Sequence, residues 1–115
     1  MINLDMNTYV YLDDVFIGLP YSYNEIIEAF NIDKMKPFKL IEDLVKSRLG
    51  DILDVELYSS YFNPSSGVFV IEYFVRFEGK LSSGRVGVKI IHAEDPSKAL
   101  MEYYRAEKSG EILRY

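Results

Sequence analysis

The sequence predicts an α+β domain, with an antiparallel sheet of three to five strands and about three helices packed mainly on one face. Three kinds of pattern support this fold. One segment alternates between apolar and other residues, several segments carry apolar residues at helical spacing, and turn-forming residues separate them. Because 115 residues is a common size for one domain, we expect residues 1–115 to form a single domain.

The alternating segment, GVFVIEYFVRFEG at residues 67–79, is predicted to be the central strand. Successive side chains of a strand point to opposite faces, so its odd-numbered positions share one apolar face. These positions are Phe69, Ile71, Tyr73, Val75 and Phe77. The opposite, outer face carries Glu72, Arg76 and Glu78 together with Val70 and Phe74.

Flanking strands over residues 52–62 and 84–93 would complete a three-stranded meander. Matching the apolar faces of the first hairpin places Leu57 opposite Tyr73 and Asp54 opposite Arg76. The apolar phase of this first flanking strand contains Leu53, Val55, Leu57 and Tyr61.

The second hairpin has two alternative registers. A tight turn at residues 78 and 79 would place Ile71 opposite Val86 and Glu72 opposite Arg85, which matches core with core and acid with base. A longer serine-containing loop would break the Glu72–Arg85 pair.

Three helices are predicted from their end signals. Ser22, followed three residues later by Glu25, forms a capping box. Pro37 suits the first turn of a second helix that Gly50 ends, and Asp95 before a proline opens the third. The apolar sides are formed by Ile26, Ile27 and Phe30, by Phe38, Ile41, Leu44, Val45 and Leu49, and by Ala99, Leu100, Tyr103 and Ala106.

The two ends of the chain are predicted to add short strands. Residues 8–18 form either one bulged strand or two short strands that meet at a turn of Asp13 and Asp14. Residues 111–115 either add a short edge strand or pack on a partner.

The composition narrows the class of protein. No apolar run is long enough to span a membrane. The N-terminus has no Lys or Arg and therefore does not resemble a signal peptide, so we expect a cytoplasmic protein. The chain has no cysteine, which excludes disulfides and thiolate metal sites.

Negative charge is concentrated in the first third of the chain. Residues 1–33 contain six acids and no Lys or Arg, whereas residues 34–115 contain twelve acids and thirteen bases. The net charge of −5 therefore arises in the first third, and such a surface repels phosphate and attracts a basic partner.

The sequence contains no pattern that favours catalysis. His92 is the only histidine, and no serine lies in a nucleophile motif, so we predict no enzyme, no metal site and no cofactor. An enzyme or small-molecule carrier built around His92 and the tyrosines is the competing interpretation.

The outer face of the sheet is the predicted functional surface, because aromatic rings interleaved with charges suit protein recognition. We expect a non-enzymatic interaction module, such as an inhibitor or adaptor, that binds a basic protein, with a homodimer through this face or an edge strand as a variant. The alternative is that the N-terminal strands or the C-terminal tail cover the face. The predicted contact residues are Asp13, Asp14, Tyr58, Phe62, Glu72, Phe74 and Arg76.

Residues 24–44, NEIIEAFNIDKMKPFKLIEDL, resemble a helix-turn-helix. Ile27 and Phe30 would pack the first helix, Asn31 and Ile32 would form the turn, and Leu40 would pack the second. The resemblance implies DNA binding, with Lys34, Lys36 and Lys39 facing the major groove.

The order of helix, three strands and helix from residue 37 to 108 is similar to that of the double-stranded-RNA-binding domain. That family presents lysines at the start of its last helix to phosphates. The corresponding residues here are Asp95, Pro96, Ser97 and Lys98, so we take only the order of elements from this similarity.

Overall fold

The computed structural model describes residues 7–115. Six strands and three helices follow one another along this part of the chain. In order they are β1 (Asn7–Leu12), β2 (Val15–Gly18), α1 (Tyr23–Ile32), α2 (Lys36–Leu49), β3 (Asp51–Asn63), β4 (Val68–Glu78), β5 (Ser83–Ala93), α3 (Pro96–Lys108) and β6 (Leu113–Arg114).

All six strands belong to one antiparallel sheet with the order β2-β1-β5-β4-β3-β6. β4 lies inside the sheet, between β3 and β5, so its prediction as a central strand is confirmed. The three-stranded meander β3-β4-β5 is extended by the N-terminal hairpin on one side and by the C-terminal β6 on the other.

The first face of the sheet is covered by α1 and α2. The odd-numbered side chains of β4 from Phe69 to Val75 are buried there, as predicted, and pack with Val88 and Ile90 of β5. The helices contribute Ile26 and Phe30 from α1 and Phe38, Ile41 and Val45 from α2.

The second face is covered at one end by α3. Ala99, Leu100, Tyr103 and Ala106, the predicted apolar side of this helix, pack on Val68, Val70, Ile91 and Ala93. Two helices therefore lie on one face and the third on the other. The reason is that apolar side chains occupy both faces of the sheet at the end near Val70 and Ile91, so both faces must be shielded from water there.

The predicted ends of the helices are confirmed. Ser22 accepts a hydrogen bond from the Glu25 backbone N–H, and the Glu25 side chain accepts one from the Ser22 N–H. Pro37 lies in the first turn of α2, Gly50 caps its C-terminus, and Asp95 caps the N-terminus of α3.

The first hairpin has the predicted register, with Leu57 opposite Tyr73 and Asp54 opposite Arg76. Irregularities at Leu53 and Tyr58 each insert one extra residue into β3. Each insertion reverses the faces of the residues beyond it.

The bulges correct three sequence predictions for β3, the first being Leu53, which was predicted on the apolar face but is an inserted residue with 47% of its surface exposed. Tyr61 lies opposite Val70 on the α3 side, and Phe62 lies opposite Phe69 on the α1–α2 side. The prediction that Phe62 shares the outer face with Tyr58 was therefore wrong.

The tight-turn register of the second hairpin was also wrong. Ile71 lies opposite Ile90, Glu72 opposite Lys89, and Arg85 opposite Arg76. The loop after Glu78 spans residues 79–82, so every pairing moves four positions along β5.

None of the helices within residues 7–115 has the length and apolar character needed to cross a membrane.

Candidate interaction surface

The α3 side of the sheet is only partly covered, because α3 is shorter than the strands beneath it. Its 13 residues extend about 20 Å at 1.5 Å per residue. β4 has 11 residues and extends about 36 Å at 3.3 Å per residue. The remaining part of this face carries exposed or half-buried side chains. We call these five residues the exposed sheet patch: Glu56, Tyr58, Phe74, Arg76 and Arg85.

Two aromatic rings form the centre of the exposed sheet patch. The rings of Tyr58 and Phe74 meet edge to face, with 4.8 Å between their centroids. The Arg85 guanidinium carbon lies 4.3 Å from the Phe74 centroid, and its Nη2 lies 3.5 Å from Glu56 Oε2. Because Arg85 and Glu56 are both exposed, this ion pair adds little stability.

Tyr58 also connects the patch to α3. Its hydroxyl donates a hydrogen bond to Glu107 Oε2 at 2.9 Å. This hydrogen bond to the carboxylate raises the pKa of Tyr58, with a smaller contribution from burial. The ring is thereby held in one orientation.

A buried polar cluster adjoins the patch beneath α3. Tyr103 donates a hydrogen bond to Glu72 Oε1 at 2.6 Å, and its hydroxyl also contacts Ser59 Oγ. Lys89 Nζ lies 3.5 Å from Glu72 Oε2. All four side chains are buried, and Glu72 and Lys89 are 5% and 2% exposed. We call Ser59, Glu72, Lys89 and Tyr103 the buried polar cluster.

The β1–β2 turn closes the side of this cluster. Lys89 Nζ donates a hydrogen bond to the Asp13 carbonyl oxygen at 3.1 Å, and Gly87 N–H donates one to Asp13 Oδ1 at 3.1 Å. Asp14 accepts a hydrogen bond from the Tyr104 hydroxyl. Asp13 has φ of 51°, the left-handed conformation that aspartate tolerates in turns.

The absence of a side chain at Gly87 leaves space for the Glu72 carboxylate. A side chain at position 87 would collide with Glu72 Oε2, because the two residues lie on the same face of adjacent strands. The absent side chain lets the carboxylate lie flat against β5.

Burial changes the titration of the cluster. It raises the pKa of Glu72 above its ordinary 4.5, against the opposing effects of the Tyr103 hydroxyl and the Lys89 ammonium. Burial and the Glu72 carboxylate also raise the pKa of Tyr103. The hydrogen bonds of the cluster are made among its own side chains and to the Asp13 carbonyl oxygen, and the cluster is chemically suited to fixing α3 on the sheet.

The structure brings together five of the seven predicted contact residues. Tyr58, Phe74 and Arg76 belong to the exposed sheet patch, Glu72 lies under its edge, and Asp13 forms the adjacent turn. Asp14 belongs to the same turn but contacts α3, and Phe62 lies on the opposite face with 55% of its surface exposed.

Sequence reasoning missed Ser59, Lys89 and Tyr103. A signal was available for Lys89, since it interrupts the apolar run VGVKII just as Glu72 interrupts the apolar run of β4. Two opposite charges in buried strands indicate pairing. The predicted register placed Glu72 opposite Arg85, so the pairing of Glu72 with Lys89 was overlooked.

The lysines of the helix-turn-helix resemblance are exposed. Asn31 and Ile32 belong to α1, so the prediction that they form the turn was wrong, and residues 33–35 separate α1 from α2. The backbone oxygen of Lys34 accepts a hydrogen bond from Tyr73 at 2.6 Å. The Lys34 ammonium also lies 4.5 Å from the Phe30 ring centroid. Lys36 and Lys39 lie in the first turns of α2.

His92 is a half-buried residue of β5. Its Nδ1 lies 3.2 Å from Thr8 Oγ1, and its ring stacks on Tyr23 with 4.1 Å between centroids. Burial lowers the pKa of His92, which keeps the imidazole neutral near pH 7.

Within residues 7–115, no group of three or more histidine or carboxylate side chains is arranged to hold a metal ion. Comparison of the chain with protein families, with curated proteins and with solved structures gives no match.

Proposed function

We propose that this protein is a non-enzymatic interaction module that binds a basic protein partner through the exposed sheet patch and the neighbouring Asp13–Asp14 turn. The observation that carries the proposal is the incomplete cover of the α3-side face. It leaves the half-buried Phe74 and Tyr58 rings among exposed charged side chains, and such aromatic anchors dominate the energetics of protein interfaces.

The charges around the patch favour a basic partner. Asp13, Asp14, Asp54 and Glu56 are exposed there, and the whole chain has a net charge of −5. Arg85 is already paired with Glu56 and stacked on Phe74. With this ion pair set aside, the three aspartates outnumber Arg76, the other base of the patch, and they would accelerate association with a positively charged protein.

The rigidity of the patch also supports binding. Glu107 holds the Tyr58 hydroxyl, and the adjacent buried polar cluster fixes β4 and β5 beneath α3. Side chains ordered before binding lose less conformational entropy when a partner arrives.

The test is capture of partners from an extract of the source organism on the immobilised protein. Phe74→Ala removes the central ring of the patch, and Phe62→Ala removes an exposed ring from the opposite face as a matched control. We expect Phe74→Ala to lose a partner that wild type and Phe62→Ala retain. The partner should be a basic protein, and added salt should release it.

Retention of the same partners by Phe74→Ala would show that another surface binds them. Thermal melts of all three proteins separate a lost contact from a lost fold. A captured partner with acidic character would contradict the charge argument while leaving the location of the surface intact.

A DNA-binding function is a second proposal, supported by the exposure of Lys34, Lys36 and Lys39 and by a three-residue connection between α1 and α2. A mobility shift with duplex DNA at several salt concentrations tests it. Tight, salt-dependent binding that disappears when the three lysines are changed to alanine would favour this function over the first.

A further inference from the structure

Two arginines lie directly opposite each other in the sheet. Arg76 of β4 is paired with Arg85 of β5, so both side chains lie on the part of the α3-side face that remains exposed. Like charges at directly opposed positions repel each other and destabilise a sheet. An anion held between the two guanidinium groups would remove this repulsion.

The two arginines line an open cavity of about 560 Å³, a volume within the usual range for small-ligand sites. Its lining also includes Leu53, Glu78 and Ser83. Leu53 is an inserted residue of β3 and is 47% exposed, so it gives the cavity an apolar wall. The cavity therefore combines two cationic groups, a hydroxyl group and an apolar side chain.

Both guanidinium groups keep hydrogen-bond donors for a ligand. No ion pair within residues 7–115 involves Arg76. Arg85 Nη2 lies 3.5 Å from Glu56 Oε2, which is longer than a charge-assisted hydrogen bond. The Arg85 guanidinium also lies over the Phe74 ring, with 4.3 Å from its carbon to the ring centroid, and this contact restricts its orientation.

The loop beside the cavity is held in one conformation. Gly79 N–H donates a hydrogen bond to the Ser82 carbonyl oxygen at 2.7 Å. A side chain at Gly79 would collide with the Leu49 carbonyl oxygen, so the loop packs closely on the end of α2. Ser83 and Arg85 follow this loop at the start of β5, so the wall that they form is ordered before a ligand arrives.

We infer that this cavity binds a carboxylate that carries an apolar group. A guanidinium group matches a carboxylate with two parallel hydrogen bonds, and the apolar group would lie on Leu53. The neighbouring acids Asp54, Glu56 and Glu78 are exposed, and they repel a doubly charged phosphate more strongly than a singly charged carboxylate. Two sources have this chemistry, a small organic acid and the C-terminus of a polypeptide.

The test is a titration of the full chain with N-acetylleucine at fixed ionic strength, followed by nuclear magnetic resonance. We expect saturable shifts of the backbone amides of Leu53, Ser83 and Gly84. N-acetylleucine amide lacks only the carboxylate and should not bind. Acetate lacks the apolar group and inorganic phosphate carries more charge, so each should bind roughly tenfold more weakly.

Arg76→Gln and Arg85→Gln each remove one guanidinium group and should weaken the binding of N-acetylleucine roughly tenfold. Arg48→Gln is the matched control, because it removes the same charge from an exposed position in α2. It should leave the affinity unchanged. The spectrum of each variant also shows whether it is folded.

Equal binding of N-acetylleucine and its amide would overturn the inference, and so would a titration without saturable shifts. Equal weakening by Arg48→Gln would reveal a general effect of charge and would overturn the assigned site. Tighter binding of phosphate than of N-acetylleucine would overturn the choice of a carboxylate.

A peptide that ends in leucine separates the two sources of the carboxylate. If N-acetyl-alanyl-alanyl-leucine binds more tightly than N-acetylleucine, the added residues make contacts, which identifies a polypeptide C-terminus as the ligand. Equal or weaker binding of the peptide identifies a small organic acid. All these titrations use the isolated protein, so their outcome does not depend on the proposed function.

Discussion

Glu72 and Lys89 are the two charged side chains among the buried residues of positions 7–115. They lie opposite each other on adjacent strands, and Tyr103, Ser59 and the Asp13 carbonyl satisfy their remaining hydrogen-bonding groups. A buried pair of this kind adds little net stability compared with apolar residues of similar size, but breaking it is costly. We infer that the pair positions α3 on the sheet through the hydrogen bond between Glu72 and Tyr103.

Lys89→Met should lower the free energy of unfolding by about 3–5 kcal/mol, because it leaves the Glu72 carboxylate buried without its cation. Urea denaturation measures the change. The double variant Lys89→Met with Glu72→Gln should recover a large part of the loss, since both charges are then absent and the Tyr103 hydroxyl keeps an acceptor. A double variant as unstable as the sum of both single variants would show that the two residues are energetically independent.

The raised pKa of Glu72 predicts a pH dependence of stability. Between 4.5, its ordinary pKa, and the higher pKa of the folded protein, the folded state binds more protons at this residue than the unfolded state. The stability contributed by Glu72 is therefore present below 4.5 and is lost as pH rises through the folded pKa. Urea denaturation of wild type and Glu72→Gln over this range should show wild type losing stability relative to the variant. The opposite trend would mean that the Lys89 ammonium lowers the pKa of Glu72 by more than burial raises it.

At the scale of elements, each helix begins where local side chains dictate, while the faces of β3 depend on single inserted residues. Ser22, Pro37 and Asp95 mark the starts of α1, α2 and α3 through caps and a restricted φ. The extra residues Leu53 and Tyr58 in β3 instead reverse which side chains are buried.

Asp95→Ala should destabilise α3 and lower the free energy of unfolding by about 1 kcal/mol, the usual cost of losing an N-cap. The Asp95 side chain accepts hydrogen bonds from the backbone N–H groups of Ser97 and Lys98, which would lose their partner. Thermal or urea denaturation detects the change. Asp43→Ala, at an exposed position within α2, is the control and should have a smaller effect.

At the scale of the whole molecule, two apolar clusters share a single sheet. One lies under α1 and α2 and the other under α3, and β1, β4 and β5 contribute side chains to both. Neither cluster can lose its strands without exposing the other, so their stabilities are coupled.

We therefore expect the chain to unfold in one cooperative transition, as a single domain does. Far-ultraviolet circular dichroism reports the helices and strands, and tyrosine fluorescence reports both clusters through Tyr73 and Tyr103. The two signals should give the same midpoint in urea. Separate midpoints would indicate that α3 and its cluster unfold independently.

The candidate surface could be predicted in part because Tyr58, Phe74 and Arg76 follow from alternation in two neighbouring strands, whereas Glu72 lies on the predicted face but is buried. Phe62 was misplaced because alternation assumes an uninterrupted strand, and nothing in the local sequence marked Tyr58 as an insertion. Lys89 and Tyr103 were missed because their roles depend on the register of β4 with β5 and on the face that α3 occupies. Both of these are set by contacts between residues distant in the chain.

By itself, the sequence determined the nature and approximate extent of the elements, the apolar phase of β4, and the capping of the helices. These features depend on residues a few positions apart, whose preferences are expressed locally. Only the tertiary structure decided which end of the sheet α3 covers and which acid meets Lys89. Those outcomes depend on the length of the loop between β4 and β5 and on the one-residue insertions in β3. Each insertion exchanges buried and exposed side chains along the rest of the strand.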